Sequence, residues 1–521
     1  MAAGRSLVLS THGPQRPARV PAVLGSVPWP LIGAVTLVTA VGGALRFVGL
    51  ARQGFWYDEA HTVLLVELTP GRMLSQLPVH ESTPPLYYLC AWVWARAFGF
   101  GEAGLRSLSA LLGTATVPVG YLIGRRLASR RAGLVAAGLL ACNPLLVWYS
   151  QEARAYALLV FLSAVGFLFF LIARERPAAA SLAGWAVASA LALATHYMAA
   201  LTIAPEALLL LLVSGQRVIG WVFLVAATGA TLLPLALAQR ATHLAAWIGR
   251  IPLGVRLQQL GDQLLAGFGA SRGLSIAAGV GLLLAVPLLV RARPPERRNA
   301  LLAAGVGVAA LALALGLVWL GTDELITRNL LTALVPLVVA VAVALGGSRA
   351  GVVGVAAAAL ICSAWVGVNL AVARDPGLQR PDWRRVLRAL GPPPGPRLIV
   401  LEHYRPSLPL PLYDRRLRRL PRWRLVLVRE VDVVAAHGRH GRSCWWGASR
   451  NLSRARIAPT PPPGMRPVAR LRIPDFRIVR YAARRPLLVR VGTLRRELRH
   501  VGVGAVLFQP ASGSDRLSAV V

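Results

Sequence analysis

Residues 132–149 read AGLVAAGLLACNPLLVWY, and the chain turns polar immediately afterwards, at Ser150-Gln151-Glu152-Ala153-Arg154. An uncharged block of this length is close to the ~20 residues that carry a helix across a bilayer core. Similar blocks lie on both sides of it. Together they give candidate spans at 31–50, 104–124, 132–149, 154–173, 181–195, 199–214, 218–237, 273–290, 299–320, 328–346 and 350–372. The implied fold class is a mainly α-helical polytopic membrane protein with about eleven transmembrane helices.

Composition agrees. Hydrophobic residues make up 55% of the 521 and charged residues only 15%, against about a quarter charged in a soluble domain. A net charge of +36 would suit a nucleic-acid binder, but its placement does not. Lys is absent, and the arginines sit in short loops between apolar blocks and in the last third of the chain. That speaks for topology and anionic-lipid contact, and against nucleic acid as a partner. Cys90, Cys142, Cys362 and Cys444 show no spacing that marks a disulfide framework or a zinc site. The first apolar block lacks a small-residue cleavage site, so it reads as a retained helix behind a cytoplasmic segment, residues 1–30.

The loops alternate in character. One set carries Arg125, Arg126, Arg130 and Arg131, then Arg174 and Arg176, Arg217, Arg291 to Arg298, and Arg349. By the positive-inside rule these are cytoplasmic. The other set carries Asp58, Glu59, Glu67, Glu81, Glu152, Asp262, Asp323 and Glu324, which therefore collect on the outer face. Residues 84–99 (PPLYYLCAWVWARAFG) are too short to span, since sixteen helical residues reach ~24 Å of a ~30 Å core. Counting them as a span would also put the arginine loops outside. They are expected to lie in the outer interface as an aromatic-rich amphipathic helix. Residues 31–372 then form one transmembrane domain, running from a cytoplasmic N-terminus to an extracytoplasmic tail.

From residue 373 the pattern changes. Arg, Pro and Trp rise and apolar runs shorten to strand length, as in Arg397–Glu402 (RLIVLE) and Arg424–Val428 (RLVLV). Asp382–Leu390 (DWRRVLRAL) predicts a short helix leading into the first strand. Residues 373–521 are expected to form a small extracytoplasmic α/β domain, with loops at 392–396 and 459–463 and a disordered end from about 511.

Chemistry-bearing residues gather in the outer set. The first outer loop opens with Phe55-Trp56-Tyr57-Asp58-Glu59-Ala60-His61, two adjacent carboxylates among aromatics just past a span. Interface belts account for aromatics and acids at this depth. A general base at a membrane-surface site accounts for them equally, and is the sharper reading. Further outer motifs are His80-Glu81-Ser82-Thr83-Pro84-Pro85, Glu102 with Arg106, and Tyr149-Ser150-Gln151-Glu152-Ala153-Arg154-Ala155-Tyr156. Arg106 and Arg154 beside these acids would make a pocket for an anionic phosphate; alone, each would be a snorkelling residue at a helix end.

These motifs, in this order, resemble the GT-C superfamily of membrane glycosyltransferases. The likeness is closest to bacterial relatives of the protein O-mannosyltransferases and the lipid A aminoarabinose transferases. WYDEAH at 56–61, PPLYY at 84–88, FG to S at 98–109, GRRLASRRAG at 124–133 and YSQEARAYAL at 149–158 carry it, with weaker support from TRNLLTALVPL at 327–337 and DWRRVLRAL. The resemblance implies inverting transfer from a polyprenyl-phosphate sugar, with Asp58 as base and Glu59 beside it in the catalytic pair. Arg106, Arg154 and Arg328 are the expected donor-phosphate ligands. Glu152, His61 and His80 are candidates for the acceptor or for a divalent cation, although no cofactor is required. Thr83 stands where many relatives have His. The expected partners are the donor, membrane lipids and a glycan, lipid or protein acceptor at the cell membrane. The rival readings are a transporter or lipid-carrier flippase, for which Glu206 after Pro205 would be the site, and a non-catalytic scaffold of envelope glycan synthesis.

Overall fold

The computed structural model describes residues 29–402, 407–436, 461–474, 476–498 and 503–511. The N-terminal segment to residue 28, part of the 459–463 loop and the end from 512 lie outside the described residues. Helix α1 (Trp29–Phe47) follows the first apolar block. Three short helices come next: α2 (Tyr57–Val66), α3 (Pro70–His80) and α4 (Leu86–Phe98). The 13 residues of α4 reach ~20 Å, in keeping with the expectation that 84–99 does not cross.

The helical body continues with α5 (Glu102–Leu127), α6 (Arg130–Cys142), α7 (Pro144–Ser150), α8 (Tyr156–Glu175), α9 (Ala179–Thr195), α10 (Ala200–Ser214) and α11 (Gln216–Ala241). After α12 (Leu253–Ala266) come α13 (Arg272–Arg291), α14 (Pro294–Trp319), α15 (Leu331–Gly346) and α16 (Gly351–Arg374). Among the described residues, nine helices are long and apolar enough to cross a membrane. Taking the bent pair α6 and α7 as one span makes ten; α9, expected as a further span, is apolar but has only 17 residues.

The block 132–149 is thus two helices, bent by 56°. Pro144 has no N–H to give to the carbonyl four residues back, and Asn143 starts a new helix by accepting from Leu146 N at 3.1 Å. The break frees the carbonyls of Leu140, Ala141 and Cys142, and buried carbonyls need donors. Arg46, buried in α1, supplies two of them, to Leu140 O at 3.0 Å and Ala141 O at 2.8 Å. Asn369 of α16 donates to Cys142 O at 2.8 Å. An arginine inside a span is therefore the plug of a helix break. Gly113 of α5 makes room for it, since a Cβ there would strike Ser150 Oγ and Arg46.

Loops meet at the two ends of the helical body, as the charge alternation requires. At the arginine end Arg126 pairs with Glu175 at 2.8 Å, Asn299 donates to Leu127 O, and Ser348 N donates to Glu296. At the other end Gln239 donates to Leu77 O and Thr83 O, and Arg256 pairs with Asp323.

The tail adds α17 (Trp383–Leu390), β1 (Arg397–Leu401), α18 (Pro409–Tyr413), β2 (Arg418–Arg419), β3 (Leu425–Ala436), β4 (Arg466–Ile473), β5 (Phe476–Arg490), α19 (Val491–Glu497) and β6 (Ala505–Gln509). The strands form one sheet in the order β2-β6-β1-β3-β5-β4, with β1 and β3 parallel and the other neighbours antiparallel. This is the α/β tail the sequence predicts. Strand β3 runs well beyond the expected 424–428 because Glu430 and Asp432, which look like strand breakers, are paired in the sheet with Arg397 and Arg480.

Candidate active site

Helix α2 carries the acid pair in its first turn, where the helix dipole favours negative charge. The two neighbours meet opposite fates. Glu59 points inward and is 0% exposed. Its Oε1 accepts from Arg106 Nε at 2.7 Å and from Ala153 N at 2.9 Å, while Oε2 accepts from Arg106 Nη2 and Trp56 N. Burial pushes this carboxyl up, but the Arg106 guanidinium outweighs burial and holds it below the usual range. Asp58 points outward to Arg328, just before α15, with Oδ2 3.0 Å from Nη1. The two side chains of that pair are 18% and 21% exposed.

Two more pairs complete the set. Arg154 grips Glu81 with both Nη atoms, at 2.7 and 2.8 Å. Glu152 accepts from Arg380 Nη2 at 3.0 Å, and burial raises its carboxyl above the usual range despite that arginine. Four acids thus meet four arginines, and three of the pairs are closed to solvent. Asp58 and Arg328 are the open pair of these four; Arg384 and Glu102, 3.3 Å apart with side chains 20% and 13% exposed, form a further pair where the tail meets the loop.

This changes the expected roles. Arg106, expected on the donor phosphate, spends its five N–H groups on Glu59 and on the carbonyls of Leu50, Gln53 and Gly54. Arg154 is committed to Glu81, Asp58 O and Thr62. Both arginines hold α2 and its loop in place. Glu59, expected in the catalytic pair, has no open face and is likewise a positioning residue. Arg328 is half-buried and lies 5.6 Å from the Trp247 ring centre.

His61 and His80 stand together at the rim, with ring centres 6.5 Å apart. Burial lowers the His61 pKa, with Arg154 and His80 acting the same way. Among the described residues no three His, Cys, Asp or Glu side chains are arranged to hold a metal ion. The fit to a divalent cation is poor, because the nearby carboxylates are already matched by guanidinium groups.

The tail is part of the site, which the sequence did not disclose. Its linker brings Arg380 to Glu152, and the Arg380 guanidinium lies 4.1 Å from the Trp148 ring centre. Asp382 Oδ1 accepts from Gly54 N at 3.1 Å, Tyr413 Oη accepts from Phe55 N, and Arg384 donates to Ala51 O at 2.8 Å. The approach is close enough that a Cβ on Gly54 would sit 2.8 Å from Asp382. The loop that leads to Asp58 is therefore clamped from both sides. One further residue went unnoticed: His196, 4% exposed in the turn between α9 and α10, with its ring 5.9 Å from that of Tyr156.

The helical body thus carries the short helices α2, α3 and α4 at one end, with the Asp58 and Arg328 pair among them. Residues 82–239 match the family model described as dolichyl-phosphate-mannose-protein mannosyltransferase. Among solved structures the chain is similar to ArnT from Cupriavidus metallidurans bound to undecaprenyl phosphate, at 14% identity and a TM-score of 0.51, covering 86% of this chain and 98% of that one. It is also similar to the oligosaccharyltransferase AglB from Archaeoglobus fulgidus in complex with an inhibitory peptide and a dolichol-phosphate (13% identity, TM-score 0.44, 69% of this chain). The chain spans only 57% of that archaeal enzyme. No curated protein sequence matches significantly.

Proposed function

We propose that the protein is a glycosyltransferase that moves a sugar from a polyprenyl-phosphate donor to an acceptor hydroxyl, on the extracytoplasmic face of the cell membrane. One observation carries this reading: of the four acid–arginine pairs, Asp58–Arg328 is the open one. Asp58 takes the proton of the hydroxyl while its oxygen attacks the anomeric carbon. The bond to the phosphate oxygen breaks on the opposite side, its electron pair leaves with the polyprenyl phosphate, and the anomeric configuration inverts.

A phosphate leaves without a general acid, but the charge it gains needs a partner placed beforehand, and Arg328 is that partner. Arg106 and Arg154 serve this scheme indirectly, by fixing the loop that carries Asp58. The scheme calls for no cofactor. The undecaprenyl phosphate named with the ArnT structure supports a lipid-phosphate carrier. The acceptor is a glycan, lipid or protein hydroxyl. The transporter reading gains nothing from Glu206, which accepts from Trp185 Nε1 at 2.9 Å within helix packing.

The test is transfer of labelled sugar from a polyprenyl-phosphate donor to a membrane extract. Asp58→Asn keeps the shape of the side chain and removes the base, so transfer should fall about 10²–10⁴-fold with carrier binding retained. Transfer at the wild-type rate would end the assignment. Reporter fusions after residue 75 and after residue 128 should report opposite sides of the membrane, the first outside.

A further inference from the structure

His196 occupies the turn between α9 and α10, at the same end of the helical body as the acid–arginine pairs. Its Nδ1 accepts from Met198 N at 3.2 Å, starting the short turn that leads into α10. A ring nitrogen that accepts carries no proton, so the neutral ring has its single N–H on Nε2. Among the described residues nothing in hydrogen-bond reach accepts that proton, although the residue is only 4% exposed. Nε2 is not among the donors closed off from solvent, so its N–H is open to a ligand that reaches it. The ring lies against Tyr156, and Arg328 and Arg154 are its charged neighbours.

We infer that His196 donates a hydrogen bond from Nε2 to the phosphate of the polyprenyl carrier, beside Arg328. This rests on the proposed transfer reaction and adds a ligand to its donor site. A third cation would be repelled by two arginines, whereas a neutral donor adds a hydrogen bond with no charge to place. Burial, with Arg328 and Arg154 next, holds the His196 pKa at about 3, so the ring stays neutral at physiological pH. The phosphate gains charge as the sugar leaves, and the hydrogen bond tightens as it does so. His196 therefore serves binding and the displacement alike.

The experiment is binding of undecaprenyl phosphate, without sugar, to the purified protein in lipid nanodiscs, for wild type and three variants. His196→Ala removes both ring functions. His196→Asn can still accept from Met198 N but is too short to reach the Nε2 position. His196→Gln carries an amide N–H to about that position. Carrier affinity should fall tenfold or more in His196→Ala and His196→Asn, roughly what a hydrogen bond to a charged group contributes, and stay within about threefold in His196→Gln. Melting temperature is read in parallel. Unchanged affinity in all the variants overturns the inference. Equal loss in all, with His196→Asn as stable as wild type, also overturns it, because reach would then not matter. Loss that tracks lowered melting temperature across the series would make His196 a packing residue and overturn it too. Failure of the wild type to bind the carrier would instead bring down the proposed reaction itself.

Discussion

Two buried arginine–acid clusters can be set side by side, one in the tail sheet and one at the end of the helical body. In the sheet, Arg397 is 0% exposed and contacts Glu430, Asp432 and Gln509. The register places Arg397 opposite Glu430 and Gln509 on the neighbouring strands, with Asp432 two positions along and opposite Arg480. Backbone hydrogen bonds hold that cluster together before any charge is counted. The site cluster has no such frame. Its pairs join segments from 47 to 270 residues apart, and the ion pairs themselves hold the loops. Charge in the sheet fills a seam, while charge at the site does the assembling and leaves one pair open.

Breaking a pair in each cluster tests that contrast. The largest effect is expected from Glu59→Gln, which leaves the Arg106 guanidinium buried without its counter-charge. That costs about 3–5 kcal/mol, seen as a much lower melting temperature in detergent and poor yield. A Glu59→Gln protein as stable as wild type yet inactive would make Glu59 catalytic and dissolve the distinction between open and closed pairs.

Arg380→Gln should cost less, about 1.5–3 kcal/mol, and the loss should depend on pH. Burial already raises the Glu152 carboxyl, and without Arg380 it rises further. A group whose folded pKa is raised contributes stability that is present at low pH and lost as pH rises through that pKa. The variant should therefore melt near wild type at pH 5 and clearly lower at pH 8. A pH-independent deficit would mean that Arg380 acts through Trp148 rather than through the carboxyl.

In the sheet, burial and then the Glu430 charge push Asp432 up to about 6. Its unfolded value is about 3.9, so by the same sign the sheet loses stability as pH rises from about 4 to 6. Protection of the Leu398 to Val400 amides, corrected for the intrinsic pH dependence of exchange, should fall across that range. The smallest effect belongs to the ion pair of Arg415 and Glu67, whose side chains are 64% and 30% exposed. Arg415→Gln should change the melting temperature by no more than ~0.2–1 kcal/mol implies, although it too joins the tail to the loop region.

Much of this was legible in the chain. The charge-free blocks gave the spans, because a bilayer core demands length and apolarity, and alternating loop charge sorted the loops into two ends. Asp58, Glu59, Glu152 and Arg154 stood out as charges among aromatics beside spans. What stayed hidden was partnership. That Arg106 meets Glu59 and not a ligand follows from side-chain direction in the folded state, which spacing along a helix does not give across elements. Arg380 was one arginine among many in a basic tail, and nothing local marked it as the partner of a residue 228 positions earlier. Arg46, a charge within the first apolar block, takes its meaning only from the break at Pro144, which frees carbonyls for it. His196 carried a faint signal, a lone imidazole in a tight turn between apolar runs.

The clamp of the tail on the Ala51–Phe55 loop has a consequence for biosynthesis. A ribosome feeds this chain into the membrane from the N-terminus, so Asp58 emerges 270 residues before Arg328, and Glu152 long before Arg380. Tyr413, which accepts from Phe55 N, comes later still. A truncated or stalled chain can hold α2 with its acids and still lack the groups that orient them. Completion of the site therefore waits on α16 and the tail. Under the proposed function, unfinished copies are inert.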